Sequence, residues 1–215
     1  MRIRLIIVRR PKRATDFFKQ GVTETSDMDP TVYRLKVTLR GSRPPIWRRL
    51  EVRADVTLFQ LHQILQVVMG WTDSHLHQFR RGATNYGQSD PEFGMRRESE
   101  RRVRLNDVLR NPKDRMVYEY DFGDGWEHDI VLEVNALSPA VGPTPRVVAG
   151  KGACPPEDVG GIGRYYGFLE ALRNPKHPEH QDMLEWCGGH FDPNAFELDE
   201  INTYFRSRRR RRTDA

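Results

Sequence analysis

Hydrophobic and polar positions alternate with period two on both sides of a charged turn in residues 116–134, MVYEYDFGDGWEHDIVLEV. Met116, Tyr118 and Tyr120 share one face of the first arm. His128, Ile130, Leu132 and Val134 share one face of the second. Such alternation predicts half-buried strands. Asp124-Gly125 is a strong turn signal, and Gly123 and Gly125 tolerate positive φ. The segment is therefore a hairpin, with Asp121, Asp124, Trp126, Glu127 and His128 at its tip.

The same pattern repeats upstream. Val32–Arg40 alternates, with Tyr33, Leu35, Val37 and Leu39 on the inner side, and Ile46–Arg53 returns after the turn at Pro44-Pro45. Arg48 shares the parity of Ile46, Leu50 and Val52. The expectation is a bulge that turns it outward; the other option is a buried arginine with a carboxylate partner. Thr57–Met69 has helical spacing of Leu58, Leu61, Leu65 and Val68, a capping box of Thr57 with Gln60, and Gly70 as the stop. A short strand over Leu76–Arg81 would send His75 and His77 to the same side. Gly82–Arg102 reads as a polar loop outside the core, and Leu105–Arg110 as one or two helical turns. Residues 135–149 read as a Pro-rich connector, and Gly150–Gly163 as a rigid irregular loop. Helices follow over Arg164–Arg173 and Pro178–Trp186, and Asp192-Pro193 opens a last one. This order predicts an α+β fold. A mixed, β-grasp-like sheet of four or five strands would carry the Thr57–Met69 helix across it, with the C-terminal helices over an edge or the far side.

Charge changes the picture of the ends. The net charge is +5, but residues 1–29 hold seven basic and four acidic groups, and residues 206–215 hold six arginines and one aspartate, so the remainder is −3. Residues 1–29 are expected as a basic extension and linker, 30–205 as a single domain, and 206–215 as a disordered Arg-rich tail. Arg208, Arg209, Arg210, Arg211 and Arg212 can bind a polyanion non-specifically. The first residues lack the apolar length of a secretory signal, and no apolar run is long enough for a transmembrane helix. Two cysteines are too few for a disulfide scaffold, which makes a reducing cytoplasm the default.

Candidate chemistry concentrates in three loops. Trp71, His75 and His77 lie in the first. Asp121, Asp124, Trp126 and His128 lie in the second, and Cys154, Glu157 and Asp158 in the third. Converging at one end of the sheet, they would form a cleft. His75 and His77 could ligate a metal with a third donor, but spacing identifies none, so hydrogen-bonded structural histidines are expected, with no metal and no cofactor. Cys154 needs a neighbouring base to act as a nucleophile, and a buried structural thiol is the expectation. Asp121-Phe122-Gly123 matches a kinase tripeptide without the motifs that give it meaning.

Several strings together resemble a known family. They are Pro45-Ile46-Trp47-Arg48-Arg49, Leu61-His62, Met69-Gly70-Trp71, His75-Leu76-His77-Gln78-Phe79, Tyr118 through His128, Ala153 through Asp158 with Gly160-Gly161, and Phe191-Asp192-Pro193 with Phe196. Over about residues 32–205 the chain resembles the plasmid pRi ORF-three-like family, whose members are also labelled transposon passenger, resolvase-like proteins. The resemblance implies a compact α+β domain. Members often carry cysteines near the positions of Val148 and Val159, and valine at both here speaks against a cysteine-metal or redox role. A helix-turn-helix is not evident and the domain is −3, so the resolvase label finds no physical support. The expected function is a non-enzymatic binding module for a protein, peptide or nucleic-acid partner. A metal-dependent hydrolase or nuclease using Asp121, Asp124, His128, Glu157 and Asp158 is the alternative, and a recombination accessory the second.

Overall fold

The computed structural model describes residues 31–89, 96–137 and 142–213. The basic extension expected at 1–29 lies outside them. Seven strands form one sheet: β1 (Val32–Leu39), β2 (Trp47–Arg53), β3 (His77–Arg81), β4 (Thr84–Gly87), β5 (Arg115–Tyr120), β6 (Trp126–Leu137) and β7 (Arg146–Lys151). Their order is β4-β3-β5-β6-β1-β2-β7. Every strand pairing is antiparallel, where a mixed, β-grasp-like sheet of four or five strands was expected. Two strands hide in segments that composition marks as loops. β4 pairs along β3, and β7 along β2. Both are edge strands with one strand partner each, and their outer sides are met locally, β4 by the backbone of Glu98 and β7 by the Asn202 amide on Val147, so neither needs a long apolar pattern.

One face of the sheet makes the core. Tyr33, Leu35, Val37 and Leu39 of β1 sit beside Leu50, Val52, Ile130 and Leu132, and Met116, Tyr118, Tyr120 and Phe79 extend the face; all are buried. Helix α1 (Leu58–Met69) covers it with Leu58, Leu61, Leu65 and Val68, also buried. Its start is the predicted capping box: Gln60 N–H donates to Thr57 Oγ1 at 3.2 Å and Thr57 N–H to Gln60 Oε1 at 2.9 Å. Gly70, at φ 80°, ends it in the left-handed conformation that glycine takes without a Cβ penalty. The opposite face of the sheet is a ladder of ion pairs. Glu51 is buried there between Arg34 and Arg146, and Arg49 grips Glu133 through two hydrogen bonds of 2.6 and 2.9 Å.

Arg48 corrects the sequence reading. It neither turns out nor meets a carboxylate; it is buried on the core face. Its Nε donates to Val68 O at 3.0 Å, and its Nη1 to Trp47 O and Lys151 O at 3.0 and 3.1 Å. Val68 lies in the last turn of α1, where carbonyls lack intrahelical donors and carry the negative end of the helix dipole. The guanidinium also lies 4.4 Å from the Phe196 ring centroid. Phe196 fits because Gly150 has no side chain; a Cβ there would fall 2.4 Å from its ring.

The remaining helices are α2 (Leu105–Val108), α3 (Gly161–Arg173), α4 (His180–Trp186) and α5 (Leu198–Thr213). Helix α5 starts later than Asp192-Pro193. Asp192 is spent on a local turn, accepting Asn194 N–H at its Oδ1 and Ala195 N–H at its carbonyl. The arginine segment expected as a disordered tail instead prolongs α5 as far as Thr213. Arginine is a good helix former, and extending an existing helix avoids the cost of nucleation. No helix among the described residues is long and apolar enough to cross a membrane.

Candidate functional site

The three predicted loops do meet, at the end of the sheet where β5 turns into β6. Trp71, just past α1, donates from Nε1 to Pro155 O at 3.1 Å and stacks on Tyr120 at a centroid separation of 4.8 Å. Glu157 is the clasp of the assembly. Its carboxylate accepts Thr72 N–H at 3.2 Å, the Thr72 hydroxyl at 2.5 Å and the Tyr120 hydroxyl at 2.5 Å. Burial, then the bond to Glu157, raises the Tyr120 pKa well above its ordinary value, so the phenol stays a donor. Tyr120 in turn accepts Ser74 N–H at 3.0 Å.

Asp124 performs a second clasp. Its Oδ2 accepts Gly160 N–H at 3.0 Å, at the start of α3, where backbone donors and the helix dipole favour an anion. The approach requires glycine: a Cβ on Gly161 would fall 2.4 Å from the Asp124 carbonyl oxygen. At the tip itself, Asp121 Oδ1 accepts Gly123 N–H at 3.0 Å and Asp124 N–H at 3.3 Å, which fixes the turn. Asp121 and Asp158 both have left-handed backbones, with φ of 57° and 62°. Aspartate is among the few non-glycine residues that visit this region readily.

His75 stands above this frame. Its Nε2 lies 3.1 Å from Asp158 Oδ1 and 3.7 Å from Asp121 Oδ2. The three residues can each present a donor atom within 4.8 Å of the other two. Leu76 beside them is exposed.

His77 does not join His75, contrary to the same-side expectation. His75 precedes the strand, where the backbone is not pleated, so strand parity does not govern its ring. His77 opens β3 and points inward, where Nε2 meets Glu100 at 2.7 Å and the ring stacks on His62 at 3.4 Å, with 1° between planes. His62 is bound at both nitrogens, to Tyr118 Oη at 2.9 Å and Asp73 Oδ1 at 2.8 Å. Gln66 completes the network, donating to Tyr118 Oη at 3.0 Å and accepting Asp73 N–H at 2.9 Å. Burial lowers the His62 pKa, against the raising influence of the Asp73 bond. His62, Asp73 and His77 are close enough to suggest a metal site. The stacking rules it out as built, because imidazole lone pairs lie in the ring plane and no point lies in two parallel planes 3.4 Å apart.

Three other candidates serve the core. His128 is fully buried, edge-on to Trp71 at 5.3 Å, and neither ring nitrogen has a hydrogen-bond partner of good geometry. Burial pulls its pKa down to about 4, with Arg48 adding to the effect. Trp126 is buried beside it. Cys154 packs against the core, and burial raises its thiol pKa well above the ordinary value, which removes the thiolate a nucleophile needs. Of the candidates, then, His75, Asp121 and Asp158 come together over a frame of Trp71, Asp124 and Glu157, while His77, Trp126, His128 and Cys154 face elsewhere. Tyr120, Thr72, His62 and Glu100 were missed. Only His62 left a signal, a polar ring at helical spacing between Leu58 and Gln66. Glu100 sits in the segment read as outside the core, yet it is buried. A groove of about 700 Å³ between the β1–β2 turn and α3, lined by Arg43, Pro45, Lys151, Tyr166 and Arg173, contains none of the candidates. Of the tail, the side chains of Arg210, Arg211 and Arg212 lie outside the described residues.

Among the described residues, a seven-stranded antiparallel sheet with five helices defines an α+β protein with one loop-built end. Residues 31–200 match the plasmid pRiA4b ORF-3-like protein family, and the chain belongs to it. It is 43% identical over 178 residues to the uncharacterized protein y4hQ of Sinorhizobium fredii, covering 81% of this chain and 91% of the relative. The crystal structure of MM3350 from Methanosarcina mazei Go1, a protein of unknown function, superposes with a TM-score of 0.73 at 34% identity, over 80% of this chain and 98% of that one. These matches support the ORF-3-like assignment and not the resolvase-like label.

Proposed function

We propose that the protein is a non-enzymatic binding module, residing in the cytoplasm, whose recognition surface is the end of the sheet formed by the loops around His75, Asp121 and Asp158. One observation carries this reading. The reactive candidates are consumed by structure: Asp124 and Glu157 hold loops together, His128 lacks access to water, and Cys154 is held as a thiol. What faces outward is recognition chemistry, an exposed Leu76 beside a carboxylate and an imidazole. The hydrolase alternative needs its five residues aimed at one point. Asp121 and Asp158 meet that demand; Asp124, His128 and Glu157 do not.

A peptide array probed in parallel with chromogenic phosphodiester and ester substrates tests the reading. Saturable peptide binding, lost in Leu76→Asp, with no turnover, is the expected result. Turnover that disappears in Asp121→Asn would overturn it. The arginines of α5 are a separate, non-specific polyanion surface in this reading, tested by deleting residues 206–215 and following salt-dependent DNA binding.

A further inference from the structure

We infer that His75, Asp121 and Asp158 form a binding site for a divalent transition-metal cation such as zinc. The inference rests on the reading of this end as the recognition surface, and names one ligand of it. Three features argue for it beyond proximity.

The first is an open carboxylate oxygen. Asp121 is buried to more than nine-tenths, and its Oδ1 is occupied by two backbone donors. Its Oδ2 accepts no hydrogen bond among the described residues and faces His75 Nε2 at 3.7 Å. The Asp121 side chain keeps 10% exposure, so this oxygen is open to an incoming cation.

The second feature is the imidazole. Its Nε2 lies 3.1 Å from Asp158 and 3.7 Å from Asp121, and neither approach is aligned as a hydrogen bond. Three donors thus converge without bonding one another.

Donor chemistry is the third. One neutral imidazole and two carboxylates carry a charge of −2, and a mixed nitrogen and oxygen set suits zinc or manganese better than calcium, which takes six to eight oxygens. Two of the ligands are held in place: Asp121 is fixed by the turn, and its backbone N–H donates to Leu76 O at 2.9 Å, beside His75. Asp158, whose side chain is 69% exposed, is free to close on the ion. Three protein donors leave coordination positions for water or an oxygen of the bound partner.

Zinc alone, titrated calorimetrically into the full chain in chelator-free buffer, tests the site. One equivalent should bind, and His75→Ala and Asp158→Asn should each weaken it roughly tenfold or more. Both side chains are partly exposed, so neither variant should change the metal-free melting temperature. Asp121→Asn, which keeps a residue tolerant of positive φ, should behave likewise. Absence of any equivalent tighter than about 100 μM would overturn the inference. So would an equivalent unchanged in both His75→Ala and Asp158→Asn, since zinc would then sit on other donors. Peptide binding that survives without zinc binding would sink this inference alone. Zinc binding without Leu76-dependent peptide binding would sink the recognition reading alone.

Discussion

His75 and His77 are separated by one residue, and their imidazoles end in opposite situations. His77 bonds Glu100 and stacks on His62, which is bonded at both nitrogens in a network with Tyr118, Gln66 and Asp73. His75 stands half-exposed near two carboxylates, with no hydrogen bond joining the three. The inner cluster has spent its bonding capacity on stability. The outer one has capacity left, which is what a ligand requires. The contrast separates structure from function more sharply than residue type does, since both clusters consist of histidine and acids.

The contrast depends on the seam that holds the third loop against the hairpin tip, and the largest effect is expected there. Gly161→Ala would place a Cβ 2.4 Å from the Asp124 carbonyl at a φ of +78°. It should destabilise the protein by about 2–4 kcal/mol in urea unfolding. An unchanged midpoint would show that the seam is loose and that the outer trio is not held.

The inner cluster comes next. His62→Ala removes one of the two bonds of the Tyr118 hydroxyl, empties a buried site and unstacks His77. A loss of about 2–3 kcal/mol is expected, because a fully buried ring leaves a cavity and Tyr118 loses a bond. A loss below about 1 kcal/mol would mean water replaces the ring and the cluster is not closed.

His128 sharpens the comparison through pH. Its pKa is about 4 when folded, against an ordinary 6.5. The unfolded chain therefore binds the proton more readily. Stability from this group is full above about pH 6.5 and falls as pH drops toward 4, by about 3 kcal/mol in all. His128→Leu should flatten the unfolding free energy over that window. If the slope persists in the variant, other groups carry the acid sensitivity.

The smallest effect on stability should come from His75→Ala. Its ring is partly exposed and makes only a solvent-screened contact with Asp158 and an edge contact with Tyr120, so the unfolding free energy should stay within about 0.5 kcal/mol of the parent. A larger loss would place His75 with the structural histidines and erase the distinction between the clusters.

Much of the frame is legible in the chain. Alternation in residues 116–134 and 32–53 marks β1, β2, β5 and β6, and the capping box and Gly70 bound α1 to the residue. The three motif-bearing loops were legible as segments, but their meeting was not, because it rests on bonds such as Tyr120 to Glu157 between residues far apart in the chain. Arg48 was not: its partners are backbone carbonyls of α1, β2 and β7, and a carbonyl has no signature in the sequence. Glu100 and β4 were hidden because composition records polarity, while their burial comes from neighbours remote in the chain.

The sequence by itself determined which segments can pair and which face of each is apolar, since periods of two and 3.6 are local properties of the backbone. Only the tertiary structure decided which of two neighbouring histidines faces inward, and which of the four acidic candidates hold loops together, as Asp124 and Glu157 do. Those choices follow from distances between residues dozens of positions apart. His75 Nε2 lies 3.1 Å from Asp158 Oδ1 because α1, the hairpin tip and the start of α3 all end at the same edge of the core.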